Sequence, residues 1–244
     1  PIEVWHGRSP PLTDKKSQGE EHEIHQSDEA TYRSKGGDMS ASPMQTPAFF
    51  DQAPAILMQD ALAQTLGAAQ GGFIEYHYLD AVKLAGHSCP TVAGAWLMTR
   101  AALARLYPGQ TPQRGEVAVA MREPHDAGVV GVIASVAGLV TGAAGNAGFK
   151  GLAGRHTRRD LLTYHVPMRG EMRLTRLDNG QSVQVSHHPE AAPRPTELMA
   201  QMQAALVPGA DSAQRDAFAL AWQGWVRAML IDHADDPALI SVED

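Results

Sequence analysis

Residues 127–144 form the longest apolar run in the chain, and they constrain the fold more than any other segment. Gly128, Gly131, Gly138 and Gly142 interrupt the run. A helix that is apolar all round has to be enclosed, by protein or by lipid. About 20 apolar residues suffice to span a bilayer, but a stretch this rich in Gly and Ala reads as a buried helix followed by a loop. It predicts a central helix over residues 128–140, with other elements wrapped around it. The 244 residues are 43% hydrophobic, which is material for one domain of good size or two small ones.

The surrounding elements can be read from period and punctuation. Residues 116–122 alternate, with Val117, Val119 and Met121 on one face, and predict a half-buried strand. Residues 161–166, 171–177 and 181–185 read as three more strands. Asp178-Asn179-Gly180 is a hairpin signal, because Asn and Gly tolerate positive φ. Residues 55–66 and 73–84 read as two helices. Val92, Ala95, Trp96, Thr99, Leu103 and Leu106 recur at three- and four-residue steps, an amphipathic helix ending before Pro108-Gly109. Residues 141–154 carry five glycines and read as a loop. A linker over 189–195 precedes two helices, 196–206 and 212–231. The expected class is α+β, a mixed or antiparallel sheet packed with helices, including the buried Gly/Ala-rich one.

Composition bounds the setting. Residues 13–38 are dense in Asp, Glu, Lys, Ser, His and Gly, too polar to offset their chain entropy by burial. Residues 1–48 are therefore expected to be disordered or foreign to the functional protein, with Met39 a natural start. Residues 49–188 are expected to form the α+β domain and 189–244 a C-terminal helical extension. One cysteine, Cys89, rules out an intramolecular disulfide and fits a reducing compartment. With no apolar signal region in the first 38 residues, the expected location is the cytoplasm. A net charge of -7 argues against general nucleic-acid binding, although Arg155, His156, Arg158 and Arg159 form a local basic cluster. No membrane association is expected.

Chemistry concentrates at Gly86-His87-Ser88-Cys89-Pro90. Pro90 suits the first turn of a helix, where its missing N–H has no partner to lose. A thiol at a helix N-terminus feels the positive end of the dipole, which favours thiolate. His87 and Cys89, two residues apart, are a pair that zinc accepts. Further ligands would come from His77, His125, Asp126 or water, and His125 is the speculative third. The plain alternative is a cysteine buried as a small hydrophobe. Asp126 reads as a helix cap, His165 and His187-His188 as surface or satisfied core residues. The glycine loop reads as close packing rather than an anion nest built with Lys150 and Arg155. Phe218, Trp222, Trp225, Val226 and Met229 form one stripe, expected to be core or a subunit contact.

The motif Gly86-His87-Ser88-Cys89-Pro90 resembles the H-G-H-x-C-P-G opening of the FmdE family, which takes its name from formylmethanofuran dehydrogenase. Thr141-Gly142-Ala143 and the loop through Phe149-Lys150 resemble that family's T-G-C-T-x-G-K-G segment. The likeness covers residues 74–185. It implies an α+β domain with a metal-binding cleft, zinc being the default ion, and a homodimer. Departures fall at Ala85, Thr91 and Ala143, where the family carries His, Gly and Cys, and a Cys-rich zinc ribbon is absent. The likeness therefore implies His87 and Cys89 as ligands, in a site that activates water or polarises a substrate if it is catalytic. Two rivals stand beside it: a metal-free enzyme with Cys89 as nucleophile and His87 or His125 as base, and a non-catalytic assembly partner of a redox enzyme that docks through Trp222 and Trp225. The composition of the first segment makes a direct prediction: a chain beginning at Met39 melts within a few degrees of the full chain in a calorimetric scan.

Overall fold

A computed structural model describes residues 44–244, which form one compact unit; the expectation for the N-terminal segment, up to residue 43, lies outside the described residues. The architecture is α+β, as the periodicity predicts. A two-stranded antiparallel ribbon, β1 (Ile56–Gln59) and β2 (Phe73–Tyr76), precedes the main body. The main sheet has five strands in the order β4-β3-β5-β6-β7, made of β3 (Val117–Met121), β4 (Leu162–Thr163), β5 (Met172–Arg176), β6 (Ser182–His187) and β7 (Ile240–Glu243). Within this sheet β3 and β4 run parallel and the other neighbours antiparallel.

Alternation fixes which face of this sheet is inside. Register pairs Met121 with Met172 and Val119 with Leu174, then Met172 with Val185 and Leu174 with Val183. All six side chains are buried. Against them lies α3 (Pro90–Leu106), which also touches α2 (Tyr78–Ala85) and α4 (Val130–Thr141). Trp96, Leu97, Met98 and Leu103 of α3 are fully buried, and Trp96 satisfies its indole N–H on the Pro54 carbonyl at 2.9 Å.

Three expectations are corrected. Residues 55–66 are not one helix: Ile56 and Met58 are buried on a strand, and the Asp60 carboxylate accepts from the Leu62 and Ala63 N–H groups, so α1 (Ala61–Thr65) starts only there. Residues 73–84 likewise split into β2 and α2, because the Asp80 carboxylate accepts the His77 N–H and caps α2 at that point. The apolar helix α4 is not enclosed on all sides. Val130, Ile133, Ala134, Val136, Ala137 and Val140 are core, but Ser135 is exposed and Val129 and Val132 are partly open. The C-terminal stretch holds α5 (Leu198–Leu206) and α6 (Ser212–Arg227), which runs on into a π turn, Ala228–Asp232, and it then returns to the sheet as β7. No helix among the described residues is long and apolar enough to cross a membrane.

The glycine loop after α4 is held by one ion cluster. Arg158 reaches the Asp60 carboxylate at 2.6 Å and Arg114 reaches its other oxygen at 2.9 Å. Gly115, at φ 86°, leaves the space that the Arg158 guanidinium occupies. Arg158 is thus the basic residue of the loop that turns inward. Burial opposes ionisation of Asp60, but the bond from Arg114, the Arg158 charge and the Ala63 N–H outweigh it and hold the carboxyl below its ordinary 3.8. Because the folded value is the lower one, this stabilisation is complete above about pH 3.8 and is lost as pH falls through the folded value. Removing the one anion between two guanidiniums leaves buried charge uncompensated. Asp60→Asn should therefore lower stability by about 3 kcal/mol or more in urea denaturation at neutral pH.

Candidate functional site

The loop between α2 and α3 carries the motif. Gly86 closes α2 in the left-handed region at φ 76°, which a residue with a side chain adopts only under strain. The chain then turns back and Cys89 becomes the N-cap of α3, with Pro90 in its first turn. The Cys89 sulfur accepts the Val92 N–H at 3.5 Å. His87 stays exposed at the mouth, and its Nδ1 donates to the Ala85 carbonyl at 2.9 Å, which leaves Nε2 with a free lone pair. The Ser88 hydroxyl bonds the Tyr78 phenol at 2.9 Å. Burial pushes that phenol far up, so Tyr78 is a neutral hydrogen-bonding partner.

A cavity of about 730 Å³ opens on this loop. It is lined by His87, Ser88 and Cys89 with the first turn of α3, and by Val129, Val132 and Ile133 at the start of α4, which is why α4 is apolar even where it is not enclosed. Trp222 and Trp225 of α6 line it as well. The Ser88 carbonyl accepts both the Trp222 indole N–H and the Gln223 amide, each at 3.1 Å, so α6 is tied to the motif loop. The stripe on α6 is thus divided: Val226 and Met229 are core, whereas the two tryptophans line the cavity rather than an outer docking face.

The sheet contributes Glu171 and His187. The Glu171 carboxyl is pushed up by burial, against the opposing pull of Arg122 and the His187 backbone N–H. Burial pushes His187 down from 6.5 to about 4, with His188 acting in the same direction. Its Nε2 is closed off from solvent and has no hydrogen-bond partner among the described residues. The ring lies against Gly94 of α3, where a Cβ would collide with it. A glycine inside a helix costs about 1 kcal/mol relative to alanine, and here the space it leaves is filled by the imidazole.

The structure brings His87 and Cys89 to one cavity but sets His125 apart. His125 is exposed and packs edge-on against the Tyr164 ring at 5.9 Å between centroids, and it is not among the cavity's lining residues. Asp126 does not cap α4, whose N-cap is Val129. His77 occupies the N-cap position of α2 and its ring lies 3.4 Å from the Glu75 carboxylate. Glu171 and His187 are the site residues that sequence reasoning missed; Gly94 was the one available sign, a glycine inside a strong helix. Thiol, imidazole and carboxyl are donor types that zinc accepts. As placed, however, no group of three or more His, Cys, Asp or Glu among the described residues is arranged to hold a metal ion, so the expected ligand set does not close.

No protein-family model and no curated protein matches the chain. Fold and site define it on their own terms: an α+β domain with a mostly apolar cavity at the N-terminus of its central helix, bearing a thiol, an imidazole and a carboxyl.

The histidine supplies a measurable expectation. A histidine that is neutral in the fold and basic when unfolded makes the unfolded chain bind more protons at acid pH, so stability is intact above about pH 6.5 and declines toward pH 4. In an NMR titration the His187 imidazole should stay neutral down to about pH 4, and His187→Gln should remove part of the stability loss between those limits.

Proposed function

We propose that this chain is an FmdE-like domain that binds a small molecule in the cavity at the N-terminus of α3, with Cys89 and Glu171 as its polar contacts and the His187 ring in its lining. The observation that carries this reading is their convergence: three groups of different chemistry line one mostly apolar cavity of about 730 Å³. Small-molecule sites span roughly 300–1,000 Å³ and pair apolar walls with a few convergent polar groups. The neutral dye Nile red tests it. The dye should brighten on binding the full chain at about one site per chain, and alkylation of Cys89 with N-ethylmaleimide should abolish most of that binding. Dye binding that is indifferent to the state of Cys89 would place the ligand elsewhere and sink the reading.

A second reading, zinc at the same cavity, is favoured by one observation. His87 has its Nε2 lone pair free two residues before Cys89, and the His187 ring borders the same space. Zinc would require these side chains to close on a common point. Such a site supplies Lewis acidity to whatever ligand lies above it. Elemental analysis of protein purified without chelator should then give close to one zinc per chain, lost in Cys89→Ser because a hydroxyl stays protonated where a thiol does not. Metal-free wild-type protein overturns this second reading and leaves the first intact. Pairing of two copies belongs to the same FmdE likeness; it would use the outer face of α5 and α6, where Leu206 and Leu220 are 71% and 78% exposed.

A further inference from the structure

Resting on the reading of the cavity as a ligand site, we propose that its ligand is an organic cation, a protonated or quaternary amine seated against the Trp222–Trp225 lining with Glu171 as its counter-charge.

The charge of the lining is one-sided. Among the described residues no lysine or arginine lines the cavity, while Glu171 does. The guanidinium that acts on that carboxyl, Arg122, is already committed, donating to the Glu123 carboxylate at 3.0 Å and to the Arg169 carbonyl at 2.9 Å. A partly buried carboxyl without a facing cation either stays neutral or takes a cationic guest. An anionic ligand would meet the Glu171 carboxyl with no lysine or arginine in the lining to offset it.

The aromatic lining has matching chemistry. The Trp222 and Trp225 rings stand at 82° to each other with centroids 6.1 Å apart, an edge-to-face pair, and Phe218 packs against Trp222 at 5.5 Å. Both indole N–H groups are spent on backbone carbonyls, Trp222 on Ser88 at 3.1 Å and Trp225 on Ala192 at 3.3 Å. These bonds fix the rings and leave their π systems as the interacting surface. A ring face attracts a cation through its quadrupole. Trp225 also borders a neighbouring cavity of about 510 Å³, and there the Arg194 guanidinium sits 6.0 Å from its ring centroid. The same indole thus already meets one cation and presents itself to the main cavity as well.

Isothermal titration calorimetry of the full chain with choline and with its uncharged isostere 3,3-dimethylbutan-1-ol separates charge from shape. Choline should bind about tenfold more tightly or better. Glu171→Gln should erase most of that preference. Trp225→Leu keeps Glu171 in place and guards against a folding defect in the first variant; it should weaken choline more than the alcohol. Equal affinities, tighter binding of the alcohol, or failure of choline while Nile red still binds at the Cys89 cavity would each overturn the cation and leave the ligand site standing. Loss of Nile red binding as well would overturn the site itself.

Discussion

The burial of α3 is the constraint on which the rest of this molecule depends. Its 17 residues touch α2, α4, α6 and three strands of the main sheet. Trp96, Leu97, Met98 and Leu103 place large apolar areas on several sides of one helix. Burial of each such side chain contributes on the order of 2 kcal/mol, and the close packing of interiors leaves little freedom in where the helix can sit. Because the helix is fixed over its length, its N-terminus is fixed too. Cys89, Ser88 and His87 are therefore held by a rigid support although they lie on a loop.

Everything that makes the cavity is attached to this helix end. The Ser88 carbonyl, which no intrahelical N–H uses, takes two donors from α6 and so ties Trp222 to the motif loop. Gly94, one turn inside α3, admits the His187 ring from β6. Val132 and Ile133 of α4 complete the apolar lining. Segments separated by more than a hundred residues in the chain thus meet at one point, and each is held by hydrogen bonds or packing that serve the fold as well as the site. The Asp60 cluster plays a parallel role on another part of the molecule: one carboxylate caps a short helix and anchors the glycine loop through Arg158 and Arg114.

The misread segments share a physical cause. Residues 55–66 and 73–84 carry apolar spacings compatible with a helix, but each contains a short carboxylate that captures backbone N–H groups at a helix start: Asp60 as the N-cap of α1, and Asp80 from the third position of α2 by accepting the His77 N–H. The preceding residues then pair as strands. Capping by Asp60 was not separable from a helix interior on pattern alone, because the Arg158 and Arg114 partners that bury it come from 98 and 54 residues away. The apolar character of α4 was legible, but its meaning was not: Val132 is only half-buried and borders the cavity.

By itself the sequence determined the α+β class, the strands that alternate, the hairpin at Asp178-Asn179-Gly180, and a helix opening at Pro90 with Cys89 and His87 at its start. These are local matters: side-chain period, φ preferences and helix-end chemistry act within a few residues and leave their mark in the order of the letters. Tertiary structure alone decided that Glu171, His187, Trp222 and Trp225 share the cavity with Cys89, and that His125 does not. Which side chains converge on a point depends on how α3, α4, α6 and the sheet pack against one another. Packing answers to shape and buried area summed over the whole chain, which no single segment encodes.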